Sequence, residues 1–113
     1  MRESNIEAVE SYLGAIRSKD LSLAPIAADI VFADPLVGEL KGEEAWHGFV
    51  GQLLPAINGV NVKQYVTENE FVACLWDADT AWGIIPIFEL FRVEDGVIKE
   101  ARAFLDPRPI KNG

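Results

Sequence analysis

Ala28-Asp29-Ile30-Val31-Phe32-Ala33-Asp34-Pro35-Leu36-Val37-Gly38 is the stretch around which the chain is organised. A short apolar run carries one carboxylate, Asp34, to a strand end, and Pro35 and Gly38 then turn the chain away. The pattern before it is helical, and nearly everything after Pro55 reads as strand. Any chemistry is therefore expected near Asp34.

Toward the N-terminus, Ile6, Val9, Leu13 and Ile16 recur at helical spacing and predict a first helix over Asn5 to Ser18, with Ser4 and Glu7 as its capping box. Tyr12 lies on the flank of that stripe, where its ring can be buried and its hydroxyl can reach sideways. Asp20 or Ser22 can cap a second short helix, with Pro25 in its first turn. Ile30 to Asp34 reads as a strand, and Gly38 to Gly42 as a short ribbon. Glu43 and Glu44 suit the positive end of a third helix whose apolar face is Trp46, Phe49, Val50 and Leu53. Gly48 and Gly51 weaken that helix by roughly 1 kcal/mol each, so tertiary packing must hold it. Pro55 ends it.

From Val60 the period changes to two. Strands are predicted over Val60 to Thr67, Phe71 to Trp76, Ala81 to Val93 and Val97 to Leu105. Their turns are Glu68-Asn69, Asp77-Ala78-Asp79 and Glu94-Asp95-Gly96, short enough for an antiparallel meander. In the third of these strands both alternating sets are apolar: Ile85, Ile87 and Phe91 on one face, Ile84, Phe88 and Leu90 on the other. Helices can cover only the concave face, so the other is expected to meet a second subunit in a homodimer through the sheet. Pro109 to Gly113 reads as a loose tail.

The 113 residues predict one domain, 1–113, with a core that needs no staple. The formal net charge of -8 and the absence of a basic run argue against nucleic acid as a partner. The N-terminus lacks a signal-peptide core and Pro86 and Glu89 interrupt the most hydrophobic stretch, so the protein is expected to be cytoplasmic, with no membrane partner. The one cysteine, Cys74, cannot form an internal disulfide and reads as a buried small hydrophobe. The single histidine, His47, has no metal-ligand spacing around it. No metal is expected, no phosphate loop is present, and one histidine excludes most nucleophilic triads.

The order helix, short helix, strand, helix and four-strand meander resembles the nuclear transport factor 2-like superfamily. Within it the chain is similar to the SnoaL-like and ketosteroid isomerase-like groups. The resemblance runs to about Pro107. It is carried by Ala8-Val9-Glu10-Ser11-Tyr12-Leu13 leading to Asp20-Leu21, by Phe32-Ala33-Asp34-Pro35, and by Phe91-Arg92-Val93 before Asp95-Gly96. It implies an α+β, cone-shaped, cystatin-like fold with three N-terminal helices on a curved, mostly antiparallel sheet. In ketosteroid isomerases a tyrosine of the first helix and a buried acid hold the substrate oxygen while an aspartate before a proline shuttles the proton. The resemblance assigns these roles to Tyr12, Glu89 and Asp34, with glutamate one methylene longer than the family's aspartate.

Such a reaction is an intramolecular proton transfer on a small apolar carbonyl compound, without cofactor. Apolar neighbours would raise the basicity of Asp34, and Glu89 must stay protonated near pH 7, a rise of roughly 3 units worth about 4 kcal/mol. Phe32, Trp46, Phe49, Trp76, Trp82 and Phe91 are candidates for the pocket wall, and Asp106 for a second acid at its mouth. Each residue also has a plainer role: Asp34 as a turn residue, Glu89 paired with Arg92 or Arg102, Tyr12 as core. Three other readings stay open. A SnoaL-like cyclase would use the same acid and base for an aldol closure, and a non-catalytic ligand-binding or dimerisation module would use neither. An epoxide hydrolase would need two acids flanking an arginine on the cavity wall, for which Arg92 or Arg102 is the candidate, and alternation places Arg92 on the face opposite Glu89, which ranks this reading last.

Overall fold

The computed structural model describes residues 2–112 as a six-stranded, curved sheet with helices packed on its concave face. Helix α1 spans Arg2–Ser18 and buries Ala8, Val9, Tyr12, Leu13, Ala15 and Ile16. Its described length begins three residues before the expected start, so Ser4 and Glu7 lie inside it. Nothing in Arg2-Glu3-Ser4 opposes helix, and the buried Asn5 donates its side-chain amide to the carbonyl of Asn69, tying this first turn to the sheet. After Ser18 the chain turns through Lys19 in the left-handed region (φ 61°). Asp20 then accepts the backbone N–H of Ser22 and caps a 3-10 turn, Leu21–Leu23. That turn is the expected second helix, and Pro25 follows it instead of opening it.

Strand β1 spans Ile26–Asp34 and starts four residues earlier than expected, because Ile26 pairs with β6 across an irregularity that ends at Val31. Strand β2, Gly38–Lys41, returns antiparallel along it. Helix α2, Glu43–Leu53, buries Trp46 and Val50, and its last turn tightens into the 3-10 turn Leu54–Ala56, which holds Pro55.

The meander follows as β3 (Ile57–Glu68), β4 (Phe71–Thr80), β5 (Gly83–Glu94) and β6 (Val97–Phe104). The sheet order is β2-β1-β6-β5-β4-β3, with β1 parallel to β6 and every other pair antiparallel. Asp95 and Gly96 both take positive φ, as a two-residue hairpin of primed type requires.

Asp77-Ala78-Asp79 is strand, not turn. The inward alternation Trp76, Ala78, Thr80 continues through it, with all three residues buried and the two acids outward, Asp77 paired with Lys63. The hairpin instead closes at Ala81-Trp82. There the Thr80 hydroxyl accepts the Trp82 N–H and donates to the Gly83 carbonyl, and Gly83 sits at φ +105°, which a side chain would strain.

Nor is the C-terminus a loose tail. Within 108–112 it forms helix α3, Arg108–Asn112, whose Ile110 and Lys111 N–H groups bond the Pro107 carbonyl. Gly113 lies outside the described residues. Among the described residues no helix is long and apolar enough to cross a membrane.

Candidate functional site

The sheet's concave face, α1 and α2 enclose a cavity of about 650 Å³, including its open mouth. Its walls are almost entirely apolar: Phe32, Phe49, Trp76 and Trp82 supply rings, and Ile16, Leu53, Ile57, Ile85 and Ile87 supply aliphatic surface. Four lining residues carry side-chain oxygens: Tyr12, Asp34, Thr80 and Glu89. Among the described residues no lysine, arginine or histidine lines it.

Glu89 enters from the middle of β5. Alternation turns Ile85, Ile87, Glu89 and Phe91 to the concave face, so the pattern that builds the core also drives one carboxyl into it. Glu89 is 2% exposed. Burial of that kind needs partners, and Glu89 has two. The Trp76 indole donates to Oε1 at 3.2 Å, and the Tyr12 hydroxyl to Oε2 at 3.5 Å. Tyr12 in turn accepts the Trp46 indole N–H at 3.0 Å, while its ring stands edge-on to Phe91 with centroids 5.0 Å apart. A four-residue chain results: Trp46 to Tyr12 to Glu89, with Trp76 donating from the far side.

Desolvation dominates the electrostatics. It pushes Glu89 up to about 7, opposed by the Trp76 bond, reinforced by the charge of Asp34, and opposed again by the Tyr12 bond. Near neutral pH the residue therefore divides between neutral and ionised forms. Tyr12 is held well above its ordinary value by burial and then by the charge of Glu89, so the phenol keeps its proton.

Asp34 stands at the end of β1. Its Oδ1 accepts the backbone N–H groups of Leu36 at 2.8 Å and Val37 at 3.1 Å, closing the turn into β2. Burial raises its pKa and these two bonds hold the rise in check. The turn-closing carboxyl thus also lines the cavity.

A family described as a domain of unknown function, DUF4904, matches residues 1–112. This chain belongs to that family. No curated protein sequence matches this DUF4904 chain. Solved structures do.

An NTF2-like protein of unknown function from Cytophaga hutchinsonii superposes with a TM-score of 0.82 at 19% identity, covering 95% of this chain and 94% of that one. A SnoaL-like polyketide cyclase, provisionally so described, from Jannaschia sp. CCS1 gives 0.82 at 18%, covering 97% and 90%. A protein provisionally described as a ketosteroid isomerase, from Kribbella flavida, gives 0.81 at 13%, covering 92% and 78%. The DUF4904 chain therefore has the NTF2-like, cystatin-like α+β fold anticipated from its sequence, and at these identities the likeness carries the fold alone.

Within this DUF4904 fold, Asp34, Tyr12 and Glu89 come to one cavity, with Phe32, Phe49, Trp76 and Trp82 on its wall. Two expected wall residues do not line it. Trp46 and Phe91 are fully buried behind Tyr12, because the larger rings fill the space between α1, α2 and the sheet. Asp106 does not reach the mouth either. It is exposed and held by Arg108, through the side chain and the backbone N–H that starts α3. Glu89 pairs with neither arginine: Arg92 pairs with Glu94 and Glu100, and Arg102 with Glu100, on the opposite face of the sheet.

Cys74 is buried beside Glu89, and burial, reinforced by that charge, pushes its thiol up to about 12, far from a nucleophile's range. His47 packs edge-on against the Trp46 ring. Among the described residues no group of three or more His, Cys, Asp or Glu is placed to hold a metal ion.

The sequence reading named none of the aliphatic lining residues as site residues, and it also missed Thr80 and Ile110. Thr80 was legible in the alternation from Trp76, had that strand been carried past Asp77. Ile110 had no local signal, since its place follows from where the end of β6 delivers the chain.

Proposed function

We propose that this protein binds a small apolar carbonyl compound and moves a proton within it, with no cofactor. Asp34 takes a proton from the carbon beside the carbonyl as the C–H bond breaks. The electron pair passes to the oxygen, which Tyr12 and protonated Glu89 receive by hydrogen bonding. Asp34 then returns the proton to a different carbon, so the product is an isomer and the enzyme is regenerated. Support comes chiefly from one observation: a glutamate that is 2% exposed stands beside a phenol in an apolar cavity that Asp34 also lines, and burial there pushes the carboxyl up to about 7. Raised basicity at Asp34 and water-excluding walls favour the same step.

The same base and donors would serve an intramolecular aldol closure of the SnoaL type, and the shape of the accepted ligand separates the two. One observation favours a non-catalytic binding module instead. Oδ1 of Asp34 is already engaged by two backbone N–H groups, as in a purely structural turn.

The deciding experiment is a spectrophotometric assay of double-bond migration in a β,γ-unsaturated ketosteroid, with wild type, Asp34→Asn and Tyr12→Phe. A wild-type rate that collapses in both variants is expected. Binding of a steroid enolate mimic without turnover would leave the module.

A further inference from the structure

We infer that Trp46 and Trp76 are positioning residues that dictate where protons sit at the buried end of the cavity, so that the Tyr12–Glu89 pair offers a ligand oxygen a donor only when Glu89 is protonated. The inference rests on the proposed function for the nature of that oxygen, a carbonyl.

An indole N–H can donate and never accept. Trp46 donates to Tyr12, Tyr12 to Glu89 Oε2, and Trp76 to Glu89 Oε1. Because both ends of this chain donate inward, its direction cannot reverse while Glu89 is ionised. Each of its three donors is engaged by a protein oxygen. Thr80 adds none, since its hydroxyl donates to the Gly83 carbonyl at 2.7 Å. With no basic residue on the wall, a carbonyl oxygen entering above an ionised Glu89 finds no free donor on Tyr12, Thr80 or Glu89.

One added proton changes the count. Trp76 already holds Oε1, which leaves Oε2, the oxygen facing Tyr12, as the place for it. Either this proton points into the cavity, or it is donated to Tyr12 and frees the phenol O–H to do so. Both arrangements present one donor to the ligand, and the weak 3.5 Å link between Tyr12 and Glu89 is the one that rearranges.

The titratable groups around Glu89 are Tyr12 on α1, Asp34 on β1 and Cys74 on β4. Burial keeps the phenol and the thiol protonated, so Asp34 is the neighbour whose charge matters in the neutral range.

The test uses a naphthyl ketone dye whose emission reddens when its carbonyl accepts a hydrogen bond, titrated between pH 5 and pH 9. Wild-type affinity is expected to be level at low pH and to fall about tenfold per pH unit above about 7. Glu89→Gln carries a permanent amide donor and is expected to give a flat profile with the red shift kept at pH 9. Trp76→Phe removes a bond that stabilises the carboxylate, so its midpoint moves up. Asp34→Asn removes a repelling charge, so its midpoint moves down.

A flat wild-type profile, or a wild-type slope surviving in Glu89→Gln, overturns the inference and moves the donor elsewhere, with the half-buried Trp82 indole next in line. An unmoved midpoint in Trp76→Phe reduces Trp76 to packing. Flat binding with isomerase turnover intact overturns this inference alone, and proton-linked binding without turnover overturns the reaction alone.

Discussion

The Trp46 indole N–H meets the Tyr12 oxygen at 3.0 Å, joining two buried residues that lie 34 positions apart in the chain. A phenol held in this way has one lone pair engaged and its own proton directed elsewhere, so a helix α2 residue decides what a helix α1 residue can do. Trp46→Phe is expected to cost about 1–3 kcal/mol, because it removes a buried bond. Tyr12→Phe orphans the Trp46 N–H and is expected to cost a similar amount. Urea denaturation of the double variant should fall short of the sum of the singles by about 0.5–3 kcal/mol. Strict additivity would mean that the two side chains share packing and no bond.

Stability should depend on pH through Glu89. Its folded pKa, about 7, lies above the ordinary 4.5. The native state therefore binds the proton more tightly than the unfolded chain does. This contribution is fully present below about pH 4.5 and is lost as pH rises through 7, a difference of about 3 kcal/mol. Asp34, also raised, acts in the same direction. Denaturation of wild type and Glu89→Gln from pH 5 to pH 8 isolates the effect. The net charge of -8 bears on both chains almost alike, so the gap between their slopes is the quantity to read. Parallel slopes would count against a buried, neutral-capable Glu89.

Asp34 lets structure and chemistry be separated. Asparagine keeps an Oδ1 for the Leu36 and Val37 N–H groups, so Asp34→Asn is expected to change stability by about 1 kcal/mol or less. Loss of the base, in contrast, should lower any proton-transfer rate by about 10²–10⁴-fold. Asp34→Ala loses the turn bonds as well and should cost about 1–3 kcal/mol. If the asparagine variant turns over at the wild-type rate, Asp34 belongs to the turn alone.

The convex face of the sheet carries a cross-strand row of Leu75, Phe88 and Phe104, all exposed, with the two phenylalanine rings 6.2 Å apart. Ile84, 59% exposed on the same strand face as Phe88, extends it. A contiguous apolar patch of this kind commonly marks an association surface. A second copy of this chain is the expected cover, so light scattering should report twice the 12.5 kDa chain mass. Phe88→Glu should yield a monomer, with the cavity on the other face unchanged. A wild type that stays monomeric at every concentration would leave the patch to another partner.

Local pattern carried much of this protein. Helical spacing placed Tyr12 beside the stripe that buries α1, alternation in β5 turned Glu89 the same way as Phe91, and Asp20 announced the cap it makes. Those properties depend on residues a few positions apart, which is why they can be read from the chain alone. Three others could not be. Trp46 stands behind Tyr12 instead of on the wall, Asp106 turns out to Arg108, and Asp77 to Asp79 continue a strand whose turn residues seemed to end it. Each was decided by tertiary structure, because whether an apolar ring meets a cavity or another ring depends on how distant elements close over it. The link between Tyr12 and Glu89 spans 77 positions, and only the closed cone brings that phenol and that carboxyl together.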